Sequence, residues 1–247
     1  MLLLLLATIF GEGPQKLEPK EALKIAEEVH AHIENDITDY TGMLIKRELI
    51  ENRSKQEFIE FKFRQKPSLA IYLKYRKPIS LVGREALYKG GSTFLVRRGG
   101  NFNSNMILEL RINSPLALAT SNYTIKEMGL KVIAERLIKQ LKNEMNLPNT
   151  EILIYKHATF EGRPITHYQL IHRQKVEGAT CSMAEISIDK ELNIPVYYRA
   201  ITGWEKPIVF EEYGFRNVKI NVGLTDKDFD ENNEEYLLKR EKLEKVE

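Results

Sequence analysis

The apolar positions of this chain fall into two periodicities. In EPKEALKIAEEVHAHIEND, Ala22, Ile25, Ala26, Val29 and Ile33 recur at spacings of three and four, which predicts a helix with one apolar face. Pro19 suits its first turn. The pattern then changes to period two. Ile59, Phe61 and Phe63 alternate with Glu60, Lys62 and Arg64, and Leu69, Ile71, Leu73 and Tyr75 alternate with Ala70, Tyr72, Lys74 and Arg76. This predicts strands with one face buried and one wet. Polar residues around Asn52, and Gln65, Lys66 and Pro67, mark short turns, so the strands form an antiparallel meander.

GREALYKGG and STFLVRRGG read as two more short strands, and NFNSNMILELRINSPLALATSN as irregular. A second helix is predicted from Thr124, with Thr124 and Glu127 as a T-x-x-E capping box and Pro148 after its end. Six strand-like segments follow, from EILIYKHATF to FRNVKINV. No repeat and no Pro/Gly/Ser-rich linker separates these blocks, so the expectation is one domain over 18–232. The predicted fold is α+β: a strongly curved antiparallel sheet of about ten strands, with two long helices packed on its concave face.

The ends read differently. In MLLLLLATIF the nine residues after Met1 form an apolar run broken only by Thr8, too short for a bilayer span of about 20 residues. A leucine run before polar GEGPQK fits the core of a secretory signal, predicted over 1–13, although the usual basic lead-in is absent. The alternative is a buried N-terminal strand or helix. Residues 233–247, NEEYLLKREKLEKVE, read as a charged tail or short exposed helix, with only a thin apolar stripe at Leu237, Leu238 and Leu243.

Composition narrows the classes. Lys plus Arg total 37 and Asp plus Glu 35, a net charge of +2, which argues against a dedicated nucleic-acid binder. Cys181 is the one cysteine, so no intramolecular disulfide and no Cys-x-x-Cys motif exist, and it reads as a small buried hydrophobe.

Candidate chemistry is sparse. His30 and His32 diverge on the helix, and His167 and His172 face opposite sides of a strand. His157 faces His167 only across a three-residue loop, and Tyr168 across a loop of two or four. No HExxH, GxSxG, P-loop or GxGxxG is present. Asp226, Asp228 and Asp230 start like a calcium loop, but Glu231 stands where glycine is needed and Leu237 where the closing glutamate belongs. That segment reads instead as Thr225 capping a turn with Asp228, with Phe229 docking into the core. Arg97 and Arg98 offer an anion site or a solvated surface. No metal, cofactor or catalytic residue is assigned, and the chain reads as a non-enzyme. An unrecognised hydrolase would depend on His157, His167 or Asp228.

What is left is apolar surface. Ile59, Phe61, Phe63, Leu69, Ile71, Leu73 and Tyr75, continued by Val218 and Ile220, give adjacent strands a wide apolar face. Under a movable helical lid that face becomes a ligand cavity. Under a fixed one it is ordinary core.

YTGMLIKRELI followed by EFIEFKFRQKPSLAIYLKY resembles the opening sheet of the LolA-like group, which includes periplasmic lipoprotein carriers and a related envelope-stress sensor. NVKINVGLTDKDFD resembles its ending. YTGMLIKRE, the RRGG turn, SPLALATSNYTIKEMGL and VGLTDKDFD together resemble an uncharacterised exported bacterial family, a domain of unknown function, over about 38–230. The resemblance implies that the curved sheet is an unclosed half-barrel with helices plugging its concave side, an exported, periplasmic address and, by analogy, a lipid, acyl chain or lipidated protein as partner, with no transmembrane segment in the mature chain. The alternative is a protein-interaction or envelope-sensor module with a packed interior.

Overall fold

A computed structural model describes residues 8–9, 13–100 and 106–239. Most of the segment read as a leader, and the tail from 240, lie outside the described residues. The elements run in the order β1 (Thr8–Ile9), β2 (Gln15–Lys16), α1 (Pro19–Asp36), β3 (Asp39–Ile50), β4 (Arg53–Arg64), β5 (Ala70–Lys77), β6 (Glu85–Tyr88), β7 (Thr93–Arg97) and β8 (Ile107–Arg111). Then come α2 (Pro115–Leu118), α3 (Leu130–Glu144), β9 (Thr150–Phe160), β10 (Arg163–His172), β11 (Met183–Asp189), β12 (Pro195–Thr202) and β13 (Ile208–Ile220). The α+β class holds, with antiparallel, unclosed pairing and two long helices. The described residues contain thirteen strands, against an expected ten or so.

The chain packs as two compact units interleaved in sequence. The first comprises 1–37, 44–56 and 127–217, and the second 38–43, 57–126 and 218–247. β3, β4 and β13 contribute residues to both.

In the first unit, β9 to β13 pair in sequence order, and β1 and β2 add to the free edge of β9. Thr8 and Ile9 pair with Thr159 and Ala158, the pairing an N-terminal strand makes. α1 and α3 lie on one face of these strands. Ala22, Ala26 and Leu141 pack with Ile152, Ile154, Leu170 and Ala184. No helix among the described residues is long and apolar enough to cross a membrane.

In the second unit, β4 to β8 form a meander. β4 obeys the period-two expectation, burying Ile59, Phe61 and Phe63. β5 does not. Ala70, Ile71, Tyr72 and Leu73 are all buried, because residues 224–238 return over its second face. Phe229 docks as expected, behind the Thr225–Asp228 capping box. Residues 233–239 are not an exposed helix: Tyr236 and Leu238 are buried, and Tyr236 stacks on Tyr72 with ring centroids 3.8 Å apart.

Two local expectations need correction. α3 begins at Leu130, not Thr124. Gly129, at φ 131°, is its N-cap, and Ile125–Glu127 form a 3-10 turn. The stretch read as irregular contains β8 and α2. Ile107–Arg111 has a period-two pattern and pairs with β7, while Ser114 Oγ accepts the Ala117 N–H at 3.3 Å.

Candidate functional site

The first unit holds an apolar crevice between the two long helices and the sheet. Sheet register builds its floor: Leu170 pairs with Ala184, and Tyr168 with Ile186, which in turn pairs with Tyr198. These side chains therefore fall on one face. α1 supplies Ala22, Ile25 and Ala26 from its apolar stripe, and α3 supplies Leu137 and Leu141. Small residues at the contact let the helices sit close. The remaining cavity is about 30 Å³, room for about one water. Above it, Glu34 pairs with Lys131 at 2.7 Å and Glu27 with Lys142 at 2.9 Å. Exposed pairs of this kind contribute only ~0.2–1 kcal/mol each, so apolar packing holds the helices down.

The C-terminal end of α3 is pinned differently. Buried Glu144 accepts the Thr180 hydroxyl at 2.6 Å and lies 2.9 Å from His172 Nε2. His172 Nδ1 lies 2.9 Å from Thr150 Oγ1, and Trp204 Nε1–H donates to the His172 carbonyl at 3.0 Å. Cys181 sits beside this cluster, where Gln140 Nε2 donates to its sulfur at 3.1 Å. Burial, reinforced by the Glu144 charge, pushes its thiol up to about 11. It is a protonated, buried thiol near neutral pH, not a nucleophile.

The opposite face of the same strands is polar. Register aligns Gln169, Glu185 and Arg199 in a row. Gln169 donates to Glu185 at 2.7 Å and Arg199 pairs with it. His167 Nδ1 lies 2.9 Å from Ser187 Oγ, and its Nε2 is 3.7 Å from Glu185. Burial alone would raise the Glu185 carboxyl, but His167 and Arg199 outweigh it and hold it below the usual range.

The histidine geometry differs from both expectations. The β9–β10 loop has two residues, Glu161 and Gly162, both at positive φ. A register shift between Ile165 and His167 then places His167 opposite Tyr155. His157 is exposed and faces neither His167 nor Tyr168, while Asp228 belongs to the other unit. Strand pairing does not bring His157 and His167 together. Asp228 instead pairs with Lys62 at 3.1 Å, and Asp226 with Arg64 at 2.6 Å. Burial acts to raise the Asp228 carboxyl, but the Thr225 N–H and Lys62 hold it low.

The nine residues read as a cavity lining all lie in the second unit. Ile59, Phe61, Phe63, Ile71 and Leu73 are buried, and Leu69, Tyr75, Val218 and Ile220 are half-buried. Phe61 pairs with Leu73 and Phe63 with Ile71, and Phe63 stacks on Tyr40 at 5.2 Å. None of the nine lines the crevice. The crevice residues read in the sequence as ordinary apolar helix and strand faces, and only packing brings them around one gap. The i,i+4 pair of small residues, Ala22 and Ala26, was the legible trace.

Comparison with known proteins places the chain. A family model described as a protein of unknown function, DUF1571, matches residues 37–238, and the chain belongs to that family. No curated protein matches the sequence. Among solved structures, the chain is similar to a DUF1329 family protein from Desulfovibrio piger, at 11% identity and TM-score 0.41, covering 87% of this chain and 98% of that one. It is also similar to a LolA superfamily protein from Nitrosomonas europaea, at 9% identity and TM-score 0.35, with 85% and 97% covered. The Mycobacterium tuberculosis lipoprotein LppX matches at 13% identity and TM-score 0.45, with 85% and 98% covered.

Proposed function

We propose that this chain is an exported, non-enzymatic carrier that holds an acyl chain, free or on a lipidated partner, between the α1–α3 pair and the sheet of the first unit. The observation behind this reading is the crevice: apolar on both walls, and closed by helices with small residues at the contact. At 30 Å³ it seats no acyl chain as it stands, so the helices must lift. The energetics allow that. Burying a chain of about sixteen carbons gains roughly 12 kcal/mol at ~0.8 kcal/mol per methylene. Exposing about five buried helix side chains costs roughly 8–15 kcal/mol on the same scale. The two nearly cancel, which suits reversible loading. In this reading Ile59, Phe61, Phe63, Ile71 and Leu73 serve as the core of the second unit.

The small volume also favours a second reading, a protein-interaction module whose helices never lift. Native mass spectrometry on exported protein purified without detergent separates the two. A reproducible lipid increment, with uptake of a fluorescent fatty acid, is expected of a carrier. A clean apo mass with no uptake rejects the carrier. The same spectrum reads the N-terminus, which export predicts to be trimmed near residue 13.

A further inference from the structure

The β5–β6 and β7–β8 loops of the second unit carry groups that the carrier reading does not use. Ile79 is 78% exposed, the most exposed large hydrophobe among the described residues, and Val82 and Met106 are also exposed. Backbone contacts hold these residues at one end of the unit. Gly100 N–H donates to the Val82 carbonyl at 2.9 Å, and Arg98 N–H to that of Met106 at 3.1 Å. Arg84 Nε donates to the Arg98 carbonyl at 3.1 Å.

The RRGG motif explains why the loop is held so firmly. Gly99 has φ +70°, and a Cβ there would lie 2.2 Å from the Arg84 backbone nitrogen. A Cβ on Gly100 would lie 2.7 Å from the Ser80 carbonyl oxygen. The turn therefore lies backbone to backbone on the loop that presents Ile79 and Val82, and only glycine fits at Gly99.

Charge is concentrated at the same place. Segments 76–84 and 97–100 contain Arg76, Lys77, Arg84, Arg97 and Arg98 and no Asp or Glu. The chain as a whole is only +2, so everything else sums to −3. Arg76 is paired with Glu60 at 2.6 Å. Lys77 lies over the Phe58 ring and Arg84 over the Tyr75 ring. Among the described residues, Lys77, Arg84 and Arg98 make no ion pair with a carboxylate.

We infer that this end of the second unit docks on an anionic lipid surface, with Ile79 and Val82 inserted and Lys77, Arg84 and Arg98 on the headgroup phosphates. The geometry suits a bilayer better than a protein. A stable protein interface buries about 800 Å² per partner, far more than the three apolar side chains exposed here among the described residues offer. Apolar side chains flanked by cations match the boundary between headgroups and acyl chains. This inference is independent of where a carried ligand sits.

Flotation of the full chain with phosphatidylcholine vesicles, with and without phosphatidylglycerol, tests it. Flotation is expected only with phosphatidylglycerol present, and it should weaken as salt rises. Ile79→Asp should reduce it about tenfold or more. Arg84→Gln with Arg98→Gln should reduce it roughly 25-fold, about fivefold for each charge. Lys24→Glu, on an exposed face of α1, should leave it unchanged. Thermal unfolding of Ile79→Asp should match that of the parent, because the side chain is exposed. Equal flotation with both vesicles, none with either, or an Ile79→Asp protein that floats like the parent would overturn the proposal. So would retention on polyglutamate without vesicle binding.

Discussion

Glu144 on α3 and His172 on β10 meet with Oε2 and Nε2 2.9 Å apart, and both side chains are buried. Twenty-eight positions separate them in sequence. The contact ties the last turn of α3 to the sheet. It fixes one end of α3, while the rest of the helix is held by apolar packing and exposed ion pairs.

Removing one partner of that pair leaves a buried polar group uncompensated. Glu144→Ala is expected to destabilise the fold by about 3–5 kcal/mol, read as a lower urea midpoint at unchanged slope. Combining Glu144→Leu with His172→Leu should recover only part of the loss: neither member of the pair is left facing the other's absence, but the Thr180 N–H and hydroxyl lose their acceptor. If Glu144→Ala unfolds at the parental midpoint, the pair is not what anchors α3.

Acid sensitivity follows from the depressed carboxyls. Glu185 and Asp189 are both held below their usual ranges. Burial raises each, but His167 and Arg199 outweigh it for Glu185, and Arg163 and the Leu192 and Glu191 N–H groups for Asp189. A carboxyl whose folded pKa lies below its unfolded value contributes stability that is fully present above the unfolded value, near 4. That stability is lost as pH falls towards the folded value, because the unfolded chain then binds more protons. Urea midpoints should be level above about pH 5 and fall below it. Glu185→Gln should flatten this acid limb. An identical limb in that variant would show that Glu185 does not carry it.

Filling the crevice separates ligand site from core. Ala26→Trp places a large ring where α1 meets the sheet. It is expected to abolish fatty-acid uptake and to cost about 1–3 kcal/mol through overpacking. Phe63→Asp, in the second unit, is expected instead to unfold the protein, because that side chain is stacked and buried. Uptake surviving in Ala26→Trp would move the ligand elsewhere.

The C-terminal return is structural. Phe229→Ala should cost about 3–5 kcal/mol, as for a buried aromatic in a core. Tyr236→Ala should be comparably damaging, although its segment is charged and polar in sequence. A Tyr236→Ala protein with parental thermal stability would show the return to be dispensable.

Much of the fold was legible in local pattern. The α1 stripe, the β4 alternation and the Thr225–Asp228 box each depend on neighbours within one or two turns of chain, and each appears where its pattern lies. The start of α3 was not. Thr124 and Glu127 have capping-box spacing, yet a 3-10 turn and Gly129 intervene before the helix begins. The histidine register failed for a related reason. The turn falls at Glu161–Gly162 and sets Ile165 opposite Ala158, which already takes His157 out of both expected pairings, and an irregularity before His167 then sets that residue opposite Tyr155; neither leaves a mark in side-chain period.

By itself the sequence determined the class of this protein and its family, because periodicity and motif spacing are properties of contiguous residues. It also shows one cysteine and carries no Cys-x-x-Cys and no phosphate-loop motif. Only the tertiary structure decided which apolar faces become core and which become crevice. Ala22, Ala26 and Ala184 are unremarkable until register and helix packing bring them together. Tyr72 alternates with Ile71 and Leu73 as a wet-face residue should, and it is buried only because Tyr236 returns to cover it. Burial depends on what arrives from distant sequence, and no local pattern records that.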